Sequence, residues 1–201
     1  ERVDIPVIIT QSGLKDLVYN DFYVGENADV VIVAGCGICN TGKDASEHVG
    51  IHSFHIGKNA KIKYIEKHYG EGDGNGERIL NPETHIEIDE GGYMEMDTAQ
   101  IKGVDSSFRK TTAKLANNAT LIVKESIMTH GKQVADTDFY VNIYGENSSA
   151  HLISRSIAKD NSHQRFNSLV DGNNRCSGHT ECDAIIMNNG TVTAEPKLNA
   201  N

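Results

Sequence analysis

Tryptophan is absent from this chain, and only three prolines interrupt its 201 residues. The architecture therefore relies neither on indole anchors nor on frequent proline corners. Basic side chains are scarce as well: 19 Lys and Arg stand against 28 Asp and Glu, a formal net charge of −9. A nucleic-acid binder normally shows a basic stripe, so no nucleic-acid partner is expected. No apolar run approaches the ~18 residues of a membrane-crossing helix, and no secretory signal is legible at the start, so no membrane partner is expected. The chain opens on Glu1 rather than Met, and an upstream segment is expected. Four cysteines do not make the dense disulfide framework of a small secreted domain, and a reducing cytoplasm is the expected compartment. Sustained helical periodicity is also missing.

What is present is a repeat. In Ile56-Gly57-Lys58-Asn59-Ala60-Lys61-Ile62, apolar residues lie three places before and three places after a pivot asparagine, and a small residue follows it. The same arrangement surrounds Asn27, Gly91, Asn118 and Asn147, and a degenerate copy surrounds Asn189. Successive pivots are 32, 32, 27 and 29 residues apart, and the last interval is 42. Periods of this size mark stacked architectures. Asn and Gly tolerate left-handed backbone, so each pivot reads as a tight corner between two strands. One such unit cannot bury its apolar face alone, and the units must stack into a solenoid. Asn-x-Thr/Ser triplets at Asn118, Asn147 and Asn189 fall on these corners, where asparagine is wanted for its backbone.

Residues 1–20 read as a lead-in strand (Arg2 to Gln11) followed by at most one turn of helix over Leu14 to Tyr19. Residues 21–201 read as the solenoid core, truncated at its C-terminal end. Asp29 to Ala34 has the continuous apolar character of a buried parallel strand. In the next unit Ile62 and Tyr64 face one way, and Glu66 and Lys67 end the apolar phase. The glycine-rich stretch Gly70 to Gly76 reads as a mobile surface loop; it lacks the Gly-Lys-Ser/Thr ending of a phosphate loop.

Two clusters carry metal-ligand chemistry. Cys36-x-x-Cys39 with His48-x-x-x-His52 offers zinc-type ligands, with only eight residues between Cys39 and His48. Cys176-x-x-His179-x-x-Cys182 is a second, weaker set. Cys36, flanked by Gly35 and Gly37, is expected to expose its thiol, with His48 or Lys43 lowering its pKa. No arrangement for nucleophilic or paired-carboxylate catalysis stands out, and the chain is not read as an enzyme.

Several runs, taken in order, resemble the core of the SufB/SufD proteins of iron-sulfur cluster assembly. They are Ala34-Gly35-Cys36, Glu47-His48-Val49-Gly50, Ile56 to Tyr64, Gly72-Asp73-Gly74-Asn75 with Ile79-Leu80-Asn81, His130 to Thr137, Ser154 to Ala158 and Glu181 to Met187. The resemblance implies a right-handed parallel β-helix. It also implies a non-enzymatic scaffold working with a SufC-like ABC ATPase, and a homodimer or SufB/SufD-type heterodimer. By the same resemblance Cys36 matches a sulfur-accepting cysteine, and His48 sits where the family tends to carry a histidine. An iron-sulfur cluster would be transient, with no cofactor expected on the purified protein. Two family features are missing. The stretch Asn188-Asn189-Gly190-Thr191 lacks the cysteine that SufB proteins carry there. The chain also stops before the family's His-Glu-Ala segment, its C-terminal cap and the helices that grip the ATPase. A carbohydrate-binding or carbohydrate-active β-solenoid is the alternative, with Glu87, Asp89, Glu95 and Asp97 as its acidic face.

Overall fold

The pivot residues form a continuous ladder. Asn27, Asn59, Asn118 and Asn147 have φ of 59°, 55°, 57° and 56°, and Gly91 has 71°. The backbone N–H of each donates to a carbonyl in the corner of the following coil: Asn27 to Lys58, Asn59 to Glu90, Gly91 to Asn117, Asn118 to Glu146 and Asn147 to Arg175, at 2.7–3.0 Å. The computed structural model describes residues 1–201 and contains strands and turns only.

Fifteen strands follow in order. They are β1 (Arg2–Ile9), β2 (Lys15–Val24), β3 (Asp29–Cys39), β4 (Ser46–Ile56), β5 (Lys61–Glu71), β6 (Arg78–Leu80), β7 (Glu83–Ile88) and β8 (Tyr93–Lys102). The remainder are β9 (Ser106–Leu115), β10 (Thr120–Thr129), β11 (Val134–Ile143), β12 (Ser149–Asp160), β13 (His163–Gly172), β14 (Ser177–Asn188) and β15 (Thr191–Ala200). They stack as a parallel β-solenoid with two sheets. One sheet runs β1-β3-β5-β8-β10-β12-β14. The other runs β15-β13-β11-β9-β6-β4-β2, with β7 pairing β4 and β9 beside β6. All pairings are parallel.

Three expectations are corrected. Leu14 to Tyr19 is no helical turn: Lys15 onward is β2, in register with β4 from Lys15↔Glu47. The corner near Asn189 belongs to a second ladder, on the opposite side of the coil, that sequence reasoning missed. Gly131, Asp160 and Asn188 have φ of 63°, 64° and 57° there. An Asp160 carboxylate oxygen accepts from the Gly131 N–H at 3.1 Å, and the Asn188 amide donates to Asp160 at 3.0 Å. The Gly70 to Gly76 segment is packed against the loop at residues 40–45. A methyl group on Gly72, Gly74 or Gly76 would overlap backbone of Asn40, Gly42 or Asp44. Arg78 also ties down the carbonyls of Gly72 and Gly74 at 2.7 and 3.2 Å. Its glycines serve close backbone approach rather than mobility.

The interior is divided. Strands of the first sheet run away from the Asn ladder, and their inward side chains change from apolar to polar: Ile62, Tyr64, Glu66, His68 on β5, and Leu121, Val123, Glu125 on β10. Strands of the second sheet run towards the ladder and change in reverse: His48, His52, Phe54, Ile56 on β4, and Ser107, Arg109, Thr111, Ala113, Leu115 on β9. The half of the cross-section near the Asn ladder is therefore aliphatic and aromatic, and the other half is polar. A small apolar cluster of Ile9, Cys36, Ile38, Leu80 and Val104 closes the polar half on its far side.

Candidate functional site

Period-two geometry sends alternate side chains of a strand inward, so the inward row of β5 continues past Tyr64 to Glu66 and His68. Pairing of β3 with β5 sets Cys36 directly beside His68 and Ala34 beside Glu66. Donor atoms of Cys36, Glu66 and His68 lie within 4.8 Å of one another, and all three residues are buried. Ligands bound tetrahedrally to one first-row ion at 2.0–2.3 Å lie about 3.6 Å apart, so small side-chain rotations bring this set to bonding distance. A thiol, an imidazole and a carboxylate suit a divalent transition ion and leave a fourth position open.

Second-row contacts orient the set. The Tyr64 hydroxyl donates to Glu66 Oε1 at 2.8 Å and lies 2.8 Å from His52 Nδ1. His68 Nε2 is 3.5 Å from Glu66 Oε1. From the second sheet, Arg109 Nη1 donates to Glu66 Oε2 at 2.8 Å. Burial opposes ionisation of Glu66, but His68 and Arg109 beside it hold its carboxyl well below the usual range. Burial also pulls against the Arg109 charge, and Glu66 and Glu125 outweigh it to raise its pKa. Burial pushes Glu125 upward despite Arg109, Ser154 and Thr137. Tyr64 is raised well above its ordinary value by burial and the Glu66 charge.

Cys36 is 3 % exposed. Burial, and then the Glu66 charge, pushes its thiol up to about 12. The expectation of an unshielded, acidified thiol is thus overturned. Gly37 leaves room for the Tyr69 ring, which a side chain there would overlap, and does not open the sulfur to solvent. The expected Cys36/Cys39/His48/His52 set does not assemble. Cys36 and Cys39 are three apart on one strand and point to opposite faces. His48 is held by Asp16, Nδ1 to Oδ2 2.8 Å, and His52 by Tyr64. The second expected set is likewise divided. Cys176, in the turn before β14, and Cys182, beside Ser154, both pack against the core, whereas His179 faces solvent and Glu181. Glu66, His68 and Arg109 escape the sequence reading because the charged pair Glu66-Lys67 marks an end to the apolar phase. Continuing the two-residue step from Ile62 and Tyr64 would have placed Glu66 and His68 inside.

The acids of the carbohydrate alternative do not share one groove. Glu87 lies on the second sheet, paired with Lys114 and His55, and Glu95 on the first, paired with Lys63 and Lys124. No helix is long and apolar enough to cross a membrane.

Residues 15–200 match the family model described as "SUF system FeS cluster assembly, SufBD core domain". A protein of Archaeoglobus fulgidus named "Iron-sulfur cluster assembly SufBD family protein" is 29 % identical over 203 residues, covering 99 % of this chain and 53 % of the relative. A SufBD family protein of Methanocaldococcus jannaschii is 27 % identical over 190 residues, covering 94 % and 59 %. One from Methanothermobacter thermautotrophicus is 28 % identical over 201 residues, covering 96 % and 46 %. The chain spans about half the length of these relatives. With a parallel solenoid that agrees with the repeat and a family match over almost its whole length, the chain belongs to the SufBD core-domain family of the SUF iron-sulfur cluster assembly system.

Proposed function

We propose that this chain is the core of a non-enzymatic iron-sulfur assembly scaffold whose cargo, iron or a nascent cluster, is received at Cys36, Glu66 and His68. The observation that carries this reading is the convergence of three donors of suitable chemistry inside the solenoid. The cluster is substrate here, transient rather than resident. Resting Cys36 holds its proton, and an arriving ferrous ion replaces that proton at sulfur, as metal binding by a thiol requires. Before the metal arrives, Tyr64 and Arg109 keep the Glu66 carboxylate oriented and ionised.

The resemblance to the SufB/SufD core carries the further reading that the protein works in the cytoplasm with an ABC-type ATPase and with a second SufBD-type chain, identical or not. Light scattering at high concentration tests pairing with an identical chain, which a strictly monomeric full-length protein would refute, and co-purification of a different SufBD-type chain tests the other pairing. Co-purification of the full-length protein with an ABC-type ATPase tests the ATPase partnership. The cargo site is tested by anaerobic reconstitution and by complementation. Cys36→Ser is expected to keep the fold and abolish assembly, and Cys39→Ser to have a weaker effect. Wild-type activity from Cys36→Ser would remove Cys36 from the mechanism.

A further inference from the structure

Glu66, Thr98 and Glu125 occupy one inward row of the first sheet, in register on β5, β8 and β10. A hydroxyl therefore sits between two carboxylates on strands spaced ~4.8 Å apart, and all three side chains are buried. Arg109 reaches this row from the second sheet. Its Nη1 donates to Glu66 at 2.8 Å, while its Nε stands 3.6 Å from Glu125 Oε1. One guanidinium faces two carboxylates and bonds to one. Glu125 is held in place by the hydroxyls of Thr137 and Ser154, each donating at 2.9 Å. The Thr98 hydroxyl between them has no hydrogen-bond partner, an uncommon and costly condition for a buried polar group.

Arg109 also crowds the donors themselves, since its Nη2 lies 3.4 Å from His68 Nδ1. A divalent ion bound to Cys36, Glu66 and His68 would face a fixed positive charge against two of its three ligands. Like charges in a buried site repel strongly. The same carboxylate also needs a counter-charge when no metal is bound, because an unpaired buried ion is costly. A single side chain meets both demands if it has a second anion within reach.

We propose that Arg109 is a resident counter-cation that the metal cargo displaces, its guanidinium leaving Glu66 for Glu125 with the Thr98 hydroxyl accepting from it. Glu125 is thus a positioning residue that acts through Arg109 and never ligates the metal. This inference rests on the cargo site proposed above.

Anaerobic cobalt(II) titration of the full-length protein, read through the thiolate-to-cobalt charge-transfer band, tests it. Glu125→Gln keeps the size of the side chain and removes the charge that receives Arg109. Its cobalt affinity is expected to fall about tenfold, within the range of coupling between linked sites, with the band itself unchanged. A direct second readout is the side-chain Nε–Hε resonance of Arg109 under zinc titration, expected to shift in wild type and to stay fixed in Cys36→Ser. Equal cobalt affinity in wild type and Glu125→Gln, or an Arg109 resonance unmoved at zinc saturation, overturns the exchange and leaves the cargo site standing. Absence of any Cys36-dependent cobalt band in wild type overturns the cargo site and the exchange with it.

Discussion

Arg109 and Glu66 stand on opposite sheets, 43 residues apart in sequence, and meet at 2.8 Å inside the solenoid. Removing one partner of such a pair strands the other charge. Arg109→Met is expected to cost about 3–5 kcal/mol of stability, Glu66→Gln less, because Glu125 still faces Arg109 at 3.6 Å, and Glu125→Gln least, because Arg109 keeps its 2.8 Å hydrogen bond to Glu66. Urea denaturation of the three variants gives the ranking. A Glu125→Gln protein less stable than Arg109→Met would show that the charges are distributed differently.

Burial of Cys36 has a chemical consequence. With its thiol at about 12 against an ordinary value of 9.0, its thiolate fraction near neutral pH is lower by about a thousandfold, since each unit is a factor of ten. Iodoacetamide at about pH 8 is expected to label Cys39 and Cys176 well before Cys36, as read by peptide mass spectrometry. First labelling at Cys36 would contradict the buried position.

His52 gives the fold an acid-sensitive element. Burial lowers its pKa below 6.5; the nearby Glu66 charge pulls upward, and His48, His68 and Arg109 push it further down. As pH falls through 6.5 the unfolded chain takes up this proton before the folded one does. The stability contributed by neutral His52 is therefore present above the ordinary histidine range and is lost as pH falls below it. Urea midpoints measured from about pH 8 down to about pH 5.5 should decline, and His52→Gln should flatten part of that decline. An identical pH profile in His52→Gln would exclude this source.

The corner ladder can be tested at Asn118, whose φ is 57°. Asn118→Ala is expected to lose about 1–2 kcal/mol through left-handed strain. Asn118→Gly should stay within about 0.5 kcal/mol of wild type, since glycine adopts that conformation freely. Equal losses in both variants would mean that the asparagine side chain, rather than its backbone, matters there.

Much of the fold is legible in the chain because its determinants are local. The spacing of Asn27, Asn59, Gly91, Asn118 and Asn147 states the coil length, and each pivot's tolerance of positive φ states the corner. The second ladder is harder to read. Its left-handed positions are Gly131, Asp160 and Asn188, three different residue types without a common apolar frame. The glycines of Gly70 to Gly76 illustrate a related ambiguity, since flexibility and close backbone packing select the same residue.

The amino-acid sequence by itself determined that the chain is a stack of short strands, where one set of corners falls and which family it resembles, because repeat period and turn chemistry are written in neighbouring residues. Only the tertiary structure decided which polar residues enter the core. Cys36, Glu66 and His68 meet through the parallel register of β3 and β5, and Arg109 joins them across the sheets from a different coil. The sequence places Cys36 beside Cys39 and Gly37. Stacking replaces those neighbours with His68 and Glu66, because register between strands sets which side chains share an interior and chain proximity does not.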